Sequence, residues 1–223
     1  MASRVHTSRI CPVLLGGILA VGLSAQAWAW GSGYGSGWGG SGWDGEETDR
    51  LRERHRERVT REAEKYAQAF KDVKQEQERA ATLLEQGEQK AGVDGKGDEV
   101  KAKRGIRLAR HKGIKNLLKV DAKYARLFAG IREFKADEGD YFTDETKGKI
   151  EILLVQLKDQ ARANRERIAD LYVEVEKPVK ALKVLEGIYQ SLSVEERASA
   201  MDLKARIKAL KAQLGIKDDD GSL

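Results

Sequence analysis

Residues 59–84 read VTREAEKYAQAFKDVKQEQERAATLL, and their spacing decides the fold. Val59, Ala63, Tyr66, Phe70, Val73, Ala80 and Leu84 recur on alternating three- and four-residue steps, with Gln77 the one polar member of the row. That period puts a single apolar stripe on a long α-helix, close to the heptad seam of a coiled coil. The stripe can pack within the chain or against a second copy, so self-association stays open at this level. Just upstream, DRLRERHRERVTRE (49–62) is almost wholly charged and reads as a solvated helical extension with i to i+4 charge pairs.

Further on, KAGVDGKGDEV (90–100) clusters Gly92, Gly95 and Gly97 and predicts a loop. A second helix is expected over about 100–136, with Ile114, Leu118, Tyr124, Leu127, Phe128 and Ile131 on its apolar side and a break near Gly105 and Gly113. KADEGDYF (135–142) reads as the next loop. Thr143 caps a third helix, whose stripe is Ile150, Leu153, Leu154, Leu157, Ala161, Asn164, Ile168, Leu171 and Val175. Pro178 suits the first turn of a fourth, followed by Val179, Leu182, Leu185, Ile188 and Tyr189. SVEE (193–196) is a capping box opening a fifth helix that carries Val194, Ala198, Met201, Ala205, Ile207, Leu210 and Leu214 and stops at Gly215.

Composition agrees with this pattern: 35% of residues are charged, 6% aromatic, and only two are proline. The expected fold is all-α, antiparallel helical hairpins of α-solenoid type with a long N-terminal helix and a disordered Gly-rich N-terminal tail. The expected organisation is a leader at 1–29, a low-complexity tail at 30–45, long helices over 46–140 with a Gly-rich loop near 90–98, C-terminal hairpins over 141–215, and an acidic tail at 216–223.

The leader has a secretory order. Arg4 and Arg9 precede the apolar run ICPVLLGGILAVGL, and Ala27 and Ala29 bracket Trp28 in an A-x-A site. That order predicts export, to the periplasm or beyond, with cleavage after Ala29. Cys11, the one cysteine, lies before the apolar core and not at the cleavage site, so no lipid anchor is expected. Without it the remaining chain has no disulfide, no thiol catalysis and no Cys-ligated metal. Against 36 acidic residues stand 41 basic ones, two of them in the leader. Near balance implies a soluble, salt-laced surface.

In IADLYVEVEKPVKALKVLEGIYQSL (168–192), Ile168, Ala169, Tyr172, Ala181, Leu185 and Ile188 stand where a tetratricopeptide repeat (TPR) places its packing residues. The stretch resembles one such TPR-like unit, with Arg165 where the family prefers Trp and Ser193 where a Pro closes the unit. The resemblance implies a two-helix unit followed by a capping helix, and a protein–protein interaction role. An ordinary helical hairpin satisfies the same positions. FTDETK (142–147) and LSVEER (192–197) are loosely similar to the helix starts of Spy-type periplasmic chaperones, which implies a chaperone or stress-response role as the alternative. KYAQAFKDV (65–73) and KYARLFAGI (123–131) also echo each other.

No catalytic constellation emerges. His55 sits in RERHRER and His111 in a basic run, both read as surface residues, and the many carboxylates single out no acid–base pair, so no enzyme activity and no cofactor are expected. DEGD (137–140) and VDGKGDE do not meet the spacing of a calcium loop, so no metal is expected. KAKRGIRLARHKGIKNLLK (101–119) gathers Lys101, Lys103, Arg104, Arg107, Arg110, Lys112, Lys115 and Lys119 with no acid between them. Export and the lack of aromatics argue against nucleic acid. An anionic envelope surface, lipid or cell-wall polymer, is one reading, and a solvated face neutralised by neighbouring helices is the other. In WGSGYGSGWGGSGWDG (30–45), Trp30, Tyr34, Trp38 and Trp43 are spaced along a Gly/Ser chain as candidate contacts for a partner. The expected function is an exported, non-catalytic interaction or scaffold protein of the bacterial envelope that binds protein partners.

Overall fold

The computed structural model describes residues 45–216, and all regular structure among them is helical. The order is α1 (Gly45–Asp94), α2 (Glu99–Glu138), a single 3-10 turn (Gly139–Tyr141), α3 (Asp144–Glu174), α4 (Pro178–Ser191), α5 (Val194–Ser199) and α6 (Met201–Gln213). Each long helix packs antiparallel on the one before it, as short connections require.

The stripe quoted at the outset is consumed inside the chain. Val59, Ala63, Phe70 and Val73 of α1 pack with Val120, Tyr124, Ile131 and Phe134 of α2 and with Ile150, Leu153 and Leu157 of α3. At the other end of the same three helices, Ala80 and Leu84 meet Ile114, Leu117, Ile168, Leu171 and Val175. Gln77 keeps its place in the row because it accepts a hydrogen bond from the Tyr124 hydroxyl at 2.7 Å. The two Lys-Tyr-Ala echoes face one another, with the Phe70 and Tyr124 rings 6.4 Å apart.

The first connection is tighter than expected. α1 continues to Asp94, and only residues 95–98 form the turn, with Gly97 at φ +90°. Asp98 caps α2 by accepting from the Lys101 amide at 3.0 Å. α2 then runs unbroken through Gly105 and Gly113, where a break was expected. These glycines serve helix approach: a Cβ on Gly105 would stand 2.8 Å from the Ala91 Cβ, and one on Gly113 2.9 Å from Leu84 Cδ1. Close backbone contact offsets the propensity cost of about 1 kcal/mol per glycine. The expected loop at 135–142 also shrinks, because α2 reaches Glu138 and the 3-10 turn follows directly.

The expected caps are present. Thr143 Oγ1 accepts from the Thr146 amide at 3.1 Å, Pro178 opens α4, and Ser193 and Glu196 form a reciprocal capping box. The α3–α4 turn is closed by paired bonds, Lys177 N to Tyr172 O at 2.8 Å and Glu176 N to Val173 O at 2.9 Å. Glu176 adopts φ +60° there, in the place usually taken by glycine.

The single fifth helix expected from the sequence is two. The chain breaks at buried Ala200, and α5 buries none of its own residues. Polar contacts hold α5 instead: Arg197 donates to the Tyr189 carbonyl at 3.1 Å and to the Gln190 carbonyl at 2.7 Å. Val194, Ala198, Met201 and Ala205 are therefore exposed, and the buried row is Ala200, Leu203, Ile207 and Leu210. No helix of the described residues is long and apolar enough to cross a membrane.

Candidate functional site

Trp30, Tyr34, Trp38 and Trp43 lie outside the described residues, as do the leader and most of the acidic tail. Five of the six repeat-type residues, Ala169, Tyr172, Ala181, Leu185 and Ile188, share the α3–α4 core, whereas Ile168 packs with Ala80, Leu84, Ile114 and Leu117 of α1 and α2. Ile168, Ala169, Ala181, Leu185 and Ile188 are buried, and Tyr172 is half-buried beneath Lys180, whose Nζ lies 5.8 Å from the ring centre. Ala169 and Ala181 are the two small residues of that contact, which is why the stretch reads as it does.

The basic segment falls on the first half of α2 and divides by face. Toward the neighbouring helices its cations are neutralised. Arg110 Nε meets Glu88 at 2.6 Å and Glu174 at 3.1 Å, and Arg107 meets Glu176 at 3.2 Å and donates to the Val175 carbonyl at 3.4 Å. Lys103 pairs with Glu99 on its own helix. Lys101, Arg104, Lys112, Lys115 and Lys119 are exposed and make no ion pair with another described residue. His111 is half-buried, and its pKa is lowered first by that burial and then by Lys177, Arg107 and Lys180 around it.

His55 departs from expectation. Its Nε2 donates to Glu138 Oε2 at 2.7 Å, Arg58 donates to Glu138 Oε1 at 3.0 Å, and its ring lies tilted against that of Tyr141, with the ring centres 4.0 Å apart. The charged stretch around it is thus partly anchored to the far end of α2. The contact links residues 83 apart, so no local pattern announced it.

A cleft of about 280 Å³ opens where α2, α3 and the α4–α5 corner meet. Tyr124, Phe128, Leu157, Ile188 and Leu192 supply its apolar floor, and Ala125 stands at its exposed edge. Cations rim it, but each is held: Lys158 by Glu196 at 2.6 Å, Arg162 by Glu166 at 2.9 Å, Arg165 by Asp121 at 2.8 Å. The Lys158 contact, with the Ser193 amide, pushes the Glu196 carboxyl down to about 2. Two residues on from Arg162, buried Asn164 donates to the Leu117 carbonyl at 3.1 Å, while its Oδ1 has no hydrogen-bond partner. Tyr124, Phe128, Leu157 and Ile188 were legible as stripe members and Leu192 was not, and the cleft itself was hidden because four separate helices build it.

Among the described residues no group of three or more His, Cys, Asp or Glu side chains is placed to hold a metal. Compared with protein-family models, with curated proteins and with solved structures, the chain matches none.

Proposed function

We propose that this is an exported, non-catalytic interaction module of the cell envelope, which takes an amphipathic helix of a protein partner in the cleft between α2, α3 and the α4–α5 corner. The observation that carries it is the cleft itself: an apolar floor of five side chains under a rim whose three cations are already paired. One or two apolar anchors from a partner helix, spaced at i and i+4, suit such a space. The paired rim favours a neutral, apolar anchor over a charged ligand. The TPR-like reading of the α3–α4 hairpin belongs to the same proposal, since one of its packing residues, Ile188, lies in the cleft's floor and the others hold the hairpin that carries it.

The test is affinity capture from crosslinked envelope with the protein and with Ala125→Arg, which fills the exposed edge without removing core. One or two stoichiometric partners that disappear with the arginine support the reading. A broad spread of unrelated clients, held equally by both proteins, would replace it with a chaperone.

A further inference from the structure

Six cations stand along one solvent face of α2: Lys101, Arg104, Lys112, Lys115, Lys119 and Arg126. At about 100° per residue they fall within roughly a quarter turn of one another, and at 1.5 Å per residue they extend over about 38 Å. All six are exposed, and none forms an ion pair with another described residue. The contrast with the rest of α2 is sharp: Lys103, Arg107, Arg110, Lys123 and Lys135 each meet a glutamate. Arg132, off this face, meets no glutamate among the described residues and lies 5.9 Å from the centre of the Phe128 ring, so pairing sorts by face over residues 101–126. The side of α2 toward α1 carries Ala102, Gly105, Ala109 and Gly113, and the side toward α3 carries Ile114, Leu117 and Asp121. Neither helix covers the cationic face. In its midst Leu108 is 62% exposed, flanked along the helix by Arg104 and Lys112.

We propose that this face of α2 docks the protein on an anionic lipid bilayer, with the six cations level with the headgroup phosphates and Leu108 reaching below them. An unbroken helix presents a straight row of charges to a flat surface. Long cationic stems beside an exposed aliphatic chain are the composition that settles at a headgroup layer. A soluble polyanion gains nothing from Leu108, and the face has no aromatic ring to stack on a base. The apolar sides of α2 are buried in the bundle, so the helix cannot roll into the hydrocarbon. Binding is then peripheral, set by charge and sensitive to salt. Lys177 in the α3–α4 turn and Lys180 in the first turn of α4, which act on His111, extend the positive field beyond α2. The inference does not depend on the cleft, which other residues form.

The experiment is vesicle co-sedimentation of the purified protein, as its host processes it, with phosphatidylcholine alone and with phosphatidylcholine containing phosphatidylglycerol. Binding is expected only to the anionic vesicles and is expected to fall steeply with salt. Each surface cation contributes about five-fold to such binding, so Lys112→Gln, Lys115→Gln and Lys119→Gln together should weaken it about a hundred-fold. Lys71→Gln, Lys74→Gln and Lys208→Gln, removing three exposed cations from α1 and α6, should not. Far-ultraviolet circular dichroism checks that both triple variants keep their helices. Equal binding to both vesicle types, equal loss in the two triple variants, or no loss in the first overturns the proposal. Binding to soluble polyphosphate without binding to the anionic vesicles overturns it in favour of a soluble polyanion.

Discussion

The Tyr124 hydroxyl donates to Gln77 Oε1 at 2.7 Å across the α1–α2 contact, in the middle of an otherwise apolar seam. Tyr124→Phe leaves the Gln77 amide oxygen without that donor and should cost about 1 kcal/mol, as should Gln77→Leu. The double variant should cost less than the two together, because both polar groups are then gone. Urea denaturation of the four proteins measures the coupling.

The same tyrosine sets a limit at high pH. Burial, with Glu78 nearby, pushes its pKa from 10.0 to about 12. The folded state therefore holds the proton more tightly than the unfolded chain. Its contribution is complete below pH 10 and is lost as the pH climbs through about 12. A spectrophotometric titration should show one tyrosine ionising only as the helices unfold, and Tyr124→Phe should remove that step.

At low pH the α3–α5 corner should lose a stabilising contact. Glu196 is held down to about 2 by the Lys158 ammonium and the Ser193 amide. A lowered carboxylate pKa stabilises the fold above the ordinary value of 4.5 and loses that effect as the pH falls through about 2. The difference in denaturation midpoint between the protein and Glu196→Gln should shrink across that window. Removing the cap itself, with Ser193→Ala, should cost about 1 kcal/mol at neutral pH.

Helical glycines should respond in opposite directions. Nothing lies within 4 Å of a Cβ added to Gly148, so Gly148→Ala should gain roughly 0.5–1 kcal/mol. Gly105→Ala meets the Ala91 Cβ at 2.8 Å and should destabilise by about 1–3 kcal/mol as α1 and α2 are pushed apart. Thermal melts of the two variants give the comparison.

Glu176 offers a gain of a different kind. It sits at φ +60° with its side chain on the surface, and its contact with Arg107 is exposed. Relief of left-handed strain should outweigh that contact, so Glu176→Gly is expected to raise stability by about 0.5–1 kcal/mol. A lowered melting temperature would mean that the Arg107 contact matters more than the backbone.

Much of this fold could be read from local pattern. Thr143, Pro178 and the Ser193–Glu196 box announce helix starts because capping is settled within four residues. The stripe from Val59 to Leu84 announced a buried face because burial follows the helical period. What stayed hidden depends on partners distant in the chain. Gly105 and Gly113 look like breakers until α1 lies against them. No residue at the Ala200 break refuses a helix, and Ala200 is buried there in the core that α4 and α6 share. His55 looked solvated because Glu138 is 83 residues away. The cleft was hidden for the same reason, whereas the cationic row on α2 was half visible. Lys101, Arg104, Lys112, Lys115 and Lys119 were in plain order and Arg126 was not noticed, but which cations lack a counter-charge depended on Glu88, Glu174 and Glu176.

Stacking each helix on its predecessor also shapes how the chain acquires its structure. The turn at 95–98 brings Gly95 against Ala102 first, and each later α1–α2 contact lies one helical turn further out, so the hairpin can close like a zip. The next contacts to form span only the following hairpin. Loop closure is thus met in small instalments, which favours rapid folding. Opening should run in reverse from the α6 end. Amide exchange should be fastest in α5 and α6 and slowest where α1, α2 and α3 bury Tyr124, Ile131 and Ile150 together.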